Sequence, residues 1–257
     1  MKVLCVGDVV ASVGRAHLRR ALPALRRQVG ADVCIVNGEN AADGNGILPG
    51  AADDLFAAGA DVITGGNHSF RRREIYERLE SEAMLLRPAN YPDGVSGHGM
   101  CTVDLGRAQL TVINLQGTTY MEPLDNPFDT LDRLLKEAGN PRFCVVDFHA
   151  EATSEKKALA YWADGRVSAV FGTHTHVPTA DCTVLPGGCG YITDLGMCGS
   201  TAGILGVKTE SIVHKFTVKT PNRFEPAVGH CRLNGALFEI DEKTGRCVRV
   251  ERVEEGE

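Results

Sequence analysis

Two histidines, His174 and His176, come directly after an apolar run that ends in Gly172. Alternate residues of an extended chain point to the same side, so both imidazole rings can face one ion. A single histidine at a strand end is usually structural, and two ligands do not make a metal site. Further metal ligands would have to come from the residues that follow the other apolar runs.

Four further apolar runs end in the same way. The run Val3–Val6 leads into Gly7 and Asp8, and the others lead into NGEN, GGNH and FH. The five strand ends carry eight candidate site residues: Asp8, Glu39, Asn40, Asn67, His68, His149, His174 and His176. In α/β sheets, ligands bind outside the carboxyl ends of the strands. If these strands are parallel neighbours, the eight side chains converge on one rim.

Carboxylate, amide oxygen and imidazole together suit a pair of divalent cations such as Mn, Fe or Zn. Glu39 is a candidate bridging carboxylate, and two cations can clamp a phosphoryl centre and ionise a water molecule. Each residue alone also has a structural explanation, because Asp8 could cap a helix and Asn40 or Asn67 could form a turn. A shared site explains all five strand ends together.

Short apolar runs alternate with amphipathic segments in the first two thirds of the chain, which indicates strands covered by helices. We expect strands at Lys2–Val6, Asp32–Val36, Asp61–Thr64, Arg142–Phe148 and Val167–Phe171, and a hairpin of Gly99–Leu105 with Gln109–Asn114. We expect helices at Gly14–Gln28, Pro49–Ala58, Arg72–Ser81, Phe128–Ala138 and Ser154–Trp162. The last third, Asp181–Val253, is predicted as short strands and turns with little helix, and residues 251–257 as a frayed tail. The pattern favours two packed sheets with helices outside.

The chain has 257 residues, is 43% hydrophobic and carries a net charge of −6. That charge argues against binding a long nucleic acid, but not against a small anionic ligand. No apolar run is long enough for a signal peptide or a membrane span. The nine cysteines include no CxxC pair, which predicts buried free thiols in a reducing cytoplasm. The loop with Cys182, Cys189 and Cys198 could instead respond to oxidation.

Several longer segments resemble one known family. The segments are GDVV, NGENAADGNGI, TGGNH, DFHAEATSEKKAL, VFGTHTHVPTAD and LPGGCGYITDLGMCG, spread from residue 1 to about residue 215. They resemble the YmdB-type branch of the calcineurin-like metallophosphoesterases. The resemblance implies a bacterial protein with a single domain over residues 1–257. Its expected fold is an α/β sandwich of two packed mixed β-sheets flanked by helices, in four layers α/β/β/α.

The resemblance also implies a role for each candidate. The residues that hold one metal ion match Asp8, Glu39, Asn40 and His176, and those that hold the other match Glu39, Asn67, His149 and His174. His68 matches the proposed proton donor to the leaving oxygen, and no other cofactor is implied. The common D-x-H motif is replaced here by Asp8-Val9-Val10. This weaker ligand set favours Fe or Mn as the two divalent ions over Zn or Mg.

The chain departs from the family pattern in three places. Phe70-Arg71 stands where the family often has Trp-Asp, and Ala11-Ser12 where it commonly has glycine. The loop 197–206 lacks an expected Pro-Tyr pair. These changes leave the expected metal ligands intact and leave the substrate preference open. Arg71–Arg73 is either a solvated helix face or a phosphate-recognition element.

The main functional hypothesis is a phosphodiesterase that acts on a small phosphodiester such as a 2′,3′- or 3′,5′-cyclic nucleotide. A metal-bridging hydroxide attacks phosphorus, the metals neutralise the phosphoryl oxygens, and His68 protonates the leaving oxygen. One alternative is a regulatory protein that binds a nucleotide through its metal site with negligible turnover. Another is a structural zinc, which usually has four closed ligands, often Cys, and none of the candidates is a Cys. A homo-oligomer is left open.

Overall fold

The structure is a computed structural model that describes residues 1–256. Its strands are β1 (Lys2–Val6), β2 (Asp8–Val9), β3 (Val33–Asn37), β4 (Val62–Thr64), β5 (Met100–Asp104), β6 (Gln109–Gln116), β7 (Cys144–His149), β8 (Ala169–Thr173), β9 (Thr183–Val184), β10 (Gly190–Ile192), β11 (Met197–Ser200), β12 (Cys231–Ile240) and β13 (Cys247–Gly256). Its α-helices are α1 (Ala11–Val29), α2 (Pro49–Ala58), α3 (Tyr76–Ser81), α4 (Pro127–Glu137), α5 (Thr153–Ala163) and α6 (Thr209–Val218), and a 3₁₀ turn, Arg73–Ile75, precedes α3.

The strands form two mixed sheets. The first has the order β2-β11-β12-β1-β3-β4, with β13 also paired to β12. The second has the order β5-β6-β7-β8-β10-β9. Strands β1, β3 and β4 run parallel as neighbours in the first sheet, and β6, β7 and β8 do so in the second. Parallel neighbours end at the same edge of their sheet, so each sheet presents one rim of carboxyl strand ends.

Three apolar layers hold the two sheets and the helices together. Along β1, Leu4 and Val6 face a core shared with α1 and α2, while Val3 and Cys5 face the second sheet. The other side of the second sheet packs on α4 and α5 through a third core. This alternation follows from the twofold period of a strand, which turns successive side chains to opposite faces. The expected four-layer α/β/β/α sandwich is confirmed.

The expected elements of the first two thirds are present, with ends shifted by a few residues. Helix α1 begins at Ala11 rather than Gly14. Val10 stands at its N-cap position and no side chain caps the helix, so Asp8 is not a helix cap. Arg71 and Arg72 precede the 3₁₀ turn and do not belong to a helix face.

The last third differs most from the prediction. It contains the ten-residue helix α6 and two ten-residue strands, β12 and β13, rather than short strands alone. The predicted frayed tail is also wrong up to residue 256, because Glu251 pairs with Leu237 and Val253 with Gly235 along β12. Residue 257 of that tail lies outside the described residues. Within residues 1–256, no helix combines the length and apolarity needed to cross a bilayer.

Candidate metal centre

The eight candidate residues meet where the rims of the two sheets face each other. The first sheet contributes Asp8 in β2, Glu39 and Asn40 after β3, and Asn67 and His68 after β4. The second sheet contributes His149 at the end of β7, with His174 and His176 after β8. The sequence argument placed all eight on one rim, whereas two sheets supply them. The site therefore depends on how the sheets pack.

One half of the cluster surrounds Asp8, which is fully buried. The Nδ2 atom of Asn40 lies 3.4 Å from Oδ1 of Asp8 and 3.1 Å from Nε2 of His176. The same Oδ1 of Asp8 lies 3.6 Å from Nε2 of His176. The backbone N–H of His174 donates to Oδ2 of Asp8 at 3.1 Å, which ties the β8 loop to the first sheet.

The other half surrounds His149, whose side chain is also fully buried. Its Nε2 atom lies 2.9 Å from Oδ1 of Asn67 and 3.1 Å from Nδ1 of His174. Glu39 joins the two halves, because Oε2 lies 3.4 Å from Nε2 of His149 while Oε1 accepts from Nδ2 of Asn40 at 2.7 Å. Ligand atoms of Asp8, Glu39 and His149 all lie within 4.8 Å of one another.

Gly66 makes this crowding possible. A Cβ atom at this position would lie 2.4 Å from Oε2 of Glu39 and 2.5 Å from Nε2 of His149. Real Cβ atoms do not approach other atoms so closely, so only glycine lets the chain after β4 pass these two side chains. The second glycine of the GGNH segment is therefore part of the site.

His68 stands at the border between the cluster and solvent. Its side chain is 27% exposed, and Nδ1 lies 2.8 Å from Oδ1 of Asn40 and 3.1 Å from Oε1 of Glu39. Its backbone N–H donates to Oε2 of Glu39 at 2.8 Å. With Nδ1 held by these oxygens, Nε2 is the ring nitrogen left for a bound molecule.

His174 and His176 reach the cluster in a way that the sequence argument did not foresee. Strand β8 ends at Thr173, and both histidines have positive φ, 107° for His174 and 64° for His176. Non-glycine residues seldom adopt such angles unless the surroundings impose them, and such residues cluster at functional sites. The two rings are therefore directed to different halves of the cluster, and the expected extended arrangement at i and i+2 is wrong.

The charges of the cluster favour a cation. Burial alone would raise the pKa of Glu39, but the neighbouring imidazoles of His149 and His68 lower it to about 2. Burial lowers the pKa of His149 to about 4, so this ring is neutral near pH 7. Burial would also lower the pKa of His176, but the nearby carboxylate of Asp8 raises it to about 9. The carboxylates and His149 are thus in the protonation state that metal ligands require, whereas His176 must release its proton when a cation binds.

The hydrogen bonds behind His149 provide a test of whether a cation fits. The hydroxyl of Thr173 donates to Oδ1 of Asp147 at 2.7 Å and lies 2.9 Å from Nδ1 of His149. Since that hydroxyl gives its proton to Asp147, its oxygen accepts from Nδ1–H of His149. The lone pair on Nε2 then points at the oxygens of Asn67 and Glu39, which are also acceptors. A cation satisfies such converging lone pairs, so the residues fit a divalent metal.

Sequence reasoning missed three buried residues that support the site. Asp147, inside β7, accepts from Thr173 of its own sheet and from Nδ2 of Asn37 in the first sheet at 3.1 Å. Lys156 of α5 and Asp194, after β10, form a buried ion pair of 2.7 Å, with side chains 1% and 0% exposed. Asp194 lies two residues after the end of the apolar strand β10, so the strand-end criterion could have found it, whereas Asp147 and Lys156 lie within regular elements.

The buried ion pair supports the loop between the two histidines. Oδ2 of Asp194 accepts from the backbone N–H of Thr175 at 3.1 Å, and Oδ1 accepts from that of Gly196 at 2.8 Å. Thr175 lies between His174 and His176, so the carboxylate fixes the segment with the unusual backbone. Glu151 was also missed, and its Oε2 lies 3.0 Å from Nε2 of His174 at the solvent side.

Two cavities adjoin the cluster, and His68 and His176 line both. The first, the apolar cavity, encloses about 570 Å³ and is walled by the loop after β11, by α6 and by Phe224. The second, the basic cavity, encloses about 600 Å³ and is lined by three arginines, Arg71, Arg72 and Arg223. Both volumes lie in the range of small-molecule sites.

Comparisons with known proteins agree with this fold. The model of the family described as YmdB-like protein matches residues 4–253. A 2′,3′-cyclic-nucleotide 2′-phosphodiesterase from Bacillus subtilis (strain 168) is 45% identical over 254 residues, which cover 98% of this chain and 96% of that protein.

Two solved structures share the whole fold. The crystal structure of a hypothetical protein from Thermus thermophilus has a TM-score of 0.95 and 42% identity, covering 100% of both chains. That of a novel phosphatase from Mycoplasma pneumoniae has a TM-score of 0.94 and 34% identity, covering 100% of this chain and 93% of the other. The branch expected from the sequence is confirmed, and the chain belongs to the YmdB-like family.

Proposed function

We propose that the protein is a metal-dependent phosphodiesterase whose substrate is a small phosphodiester of the 2′,3′-cyclic nucleotide type. The hydrolase class is confirmed by the relatives, which are named as a phosphodiesterase and a phosphatase. The observation that carries the proposal is the buried convergence of Asp8, Glu39 and His149, with further donors on both sides. The named activity of the Bacillus subtilis relative supports the choice of substrate class.

The ligand sets follow the two halves of the cluster. We assign one divalent ion to Asp8, Glu39, Asn40 and His176, and a second to Glu39, Asn67, His149 and His174. Glu39 belongs to both sets because its two oxygens face the two halves. For Asn40 to offer its oxygen to an ion, its amide must turn by about 180° from the present orientation, in which Nδ2 faces Asp8. After that turn, Nδ2 is a donor to Nδ1 of His68.

Oxygen and imidazole ligands without thiolate suit Fe or Mn, which are the metals we propose. Divalent ions at this place supply positive charge for the phosphoryl oxygens and acidify a water molecule. The protein's own residues then have to orient the phosphodiester and supply a proton to the oxygen that leaves phosphorus. We assign that proton to Nε2 of His68, since after the turn Nδ1 accepts from Asn40 and the ring proton of the neutral imidazole lies on Nε2.

The test is monophosphate release from 2′,3′-cyclic AMP with added Mn²⁺, together with metal content by mass spectrometry. We expect release that EDTA stops, and two metal ions per chain. His68→Ala should keep its metal content and lose roughly 100-fold or more of its turnover, the usual contribution of a general acid. His98→Ala is the matched control, because His98 is an exposed histidine outside the cluster.

Unchanged turnover in His68→Ala would remove His68 from the mechanism. Nucleotide binding without monophosphate release, by protein that carries both ions, would instead favour the regulatory alternative.

A further inference from the structure

The apolar cavity opens directly on the candidate metal centre. Its lining includes Glu39, His68, His174 and His176 on one side. Any molecule that fills the cavity therefore lies beside the phosphoryl group that the centre would attack. The opposite side is formed by apolar side chains: Ile204, Leu205, Val207, Ile212, Phe216 and Phe224.

This apolar wall is not used to stabilise the fold. Helix α6 has no buried residue. Phe216 on that helix is 68% exposed, and Phe224 after it is 49% exposed. Large aromatic side chains that stay in solvent beside a polar site indicate a surface for a ligand.

We propose that the apolar cavity binds the nucleobase of the substrate, with Phe216 and Phe224 as the residues that recognise it. The inference rests on the proposed phosphodiesterase function and adds to it the place where the base of a cyclic nucleotide binds and the residues that contact the base. Three features of the cavity carry it.

The first feature is shape and chemistry. Every nucleobase has flat faces that stack on aromatic rings. The two phenylalanine rings in the cavity provide such rings.

The second feature is charge. Lys215 and Lys219 line the same cavity, and Nζ of Lys219 lies 5.4 Å from the ring centroid of Phe216. Two cations beside an apolar wall complement a ligand that has an apolar base and an anionic phosphate.

The third feature is size. A volume of about 570 Å³ accommodates one nucleotide, whereas a small phosphodiester such as glycerol cyclic phosphate leaves most of it empty. The reaction makes and breaks no bond of the base, so Phe216 and Phe224 set specificity and are not catalytic residues. Removing either ring should then affect only substrates that carry a base.

The experiment compares two five-membered cyclic phosphodiesters, 2′,3′-cyclic AMP and base-free glycerol 1,2-cyclic phosphate, in the Mn²⁺-loaded protein. The variants are Phe216→Ala and Phe224→Ala. The matched control is Tyr161→Ala, an aromatic residue of α5 that is 54% exposed and lines neither cavity. We expect each phenylalanine variant to lose about 5- to 20-fold more kcat/KM on 2′,3′-cyclic AMP than on glycerol 1,2-cyclic phosphate, from the usual strength of base–aromatic stacking. The control should not discriminate between the two.

Equal losses on both substrates, or no loss on either, would overturn the base site while leaving the phosphodiesterase function intact. If the wild-type protein hydrolyses neither compound, the proposed function fails and calorimetry decides the base site separately. Tighter binding of AMP than of ribose 5-phosphate, abolished in Phe216→Ala, would support the base site; equal binding would refute it.

The surface could instead be covered by a second copy of the chain. In that case Phe216→Ala lowers the mass found by sedimentation and AMP is not preferred, which also refutes the base site.

Discussion

The buried pair of Lys156 and Asp194 allows a quantitative prediction. Its atoms are 2.7 Å apart, and the two side chains are 1% and 0% exposed. Replacing Lys156 with Met keeps the length and the apolar part of the side chain. It leaves the Asp194 carboxylate buried with only two backbone N–H donors, those of Thr175 and Gly196.

Removing one partner of a buried ion pair costs about 3–5 kcal/mol, because the other charge stays buried without compensation. For a chain of this size, 1 kcal/mol corresponds to about 2–4 °C in Tm. Lys156→Met should therefore lower the Tm by roughly 6–20 °C. Urea unfolding at pH 7, followed by circular dichroism, measures the free energy directly. The double variant Lys156→Met/Asp194→Asn should recover much of the loss, since no buried charge remains.

The exposed pair of Lys208 and Glu225 is the matched control. Its atoms are 2.6 Å apart, but the side chains are 47% and 53% exposed. Solvent screens such a pair, so Lys208→Met should lower the Tm far less than Lys156→Met does. If Lys156→Met costs as little as Lys208→Met, or if the double variant is no more stable than Lys156→Met, the reasoning on the buried charge is wrong.

Three further predictions concern the site and the segment after it. Removal of the metal with a chelator should lower the Tm by about 5–10 °C, and added Mn²⁺ should restore it. The reason is that a bound ion offsets the repulsion between the buried carboxylates of Asp8 and Glu39 and adds its binding free energy to the stability of the fold. An unchanged Tm would contradict a bound metal. Arg71→Ala should raise KM for 2′,3′-cyclic AMP about 3- to 10-fold, because it removes a charged contact to the phosphate. Arg73 lines neither cavity, so Arg73→Ala should leave KM unchanged. Equal effects of the two substitutions would favour the solvated-surface interpretation of these arginines. Burial would raise the pKa of Asp181, but hydrogen bonds from two threonines lower it below its usual value. A carboxyl group whose pKa is lower in the folded state stabilises the fold at pH values above its unfolded-state pKa of about 3.9. That stabilisation is lost as the pH falls through the folded-state pKa. In urea titrations, Asp181→Asn should thus destabilise the protein at pH 7, and its difference from the wild type should shrink as the pH falls below about 3.9. A difference that stays constant with pH would refute the assignment.

The sequence predicted the site better than the final third of the fold, and the reason is physical. Apolar runs followed by polar residues mark buried strand ends, and the eight candidates were found from that pattern alone. The pattern carries no information on which sheet a strand joins, so the division of the site between two sheets was not predictable. Neither were the positive φ angles of His174 and His176, which depend on contacts with Asp8 and Asp194.

Helix α6 and strand β13 were missed because neither has the periodic burial on which the prediction relied. Helix α6 buries no side chain, so its apolar residues Ile212, Val213 and Phe216 do not mark a core-facing helix. In β13, the Glu-rich segment after Val250 is half-buried or exposed, yet its backbone pairs with β12 over its full length. Backbone pairing leaves no mark on composition, so a charged strand beside a buried one resembles a disordered tail.

The place of β1 in the first sheet has a consequence for the synthesis of the protein. β1 lies between β3 and β12, and Met1 contacts Ile240, 239 positions away along the chain. At 5–20 residues per second, roughly 12–48 s pass on the ribosome between the appearance of β1 and that of its partner. From the synthesis of His176 until that of β12, a nascent chain carries every proposed metal ligand but lacks the strand that lies between β1 and β11. The proposed metal centre can therefore form only after β12 has been synthesised, and chains that end before β12 should lack activity.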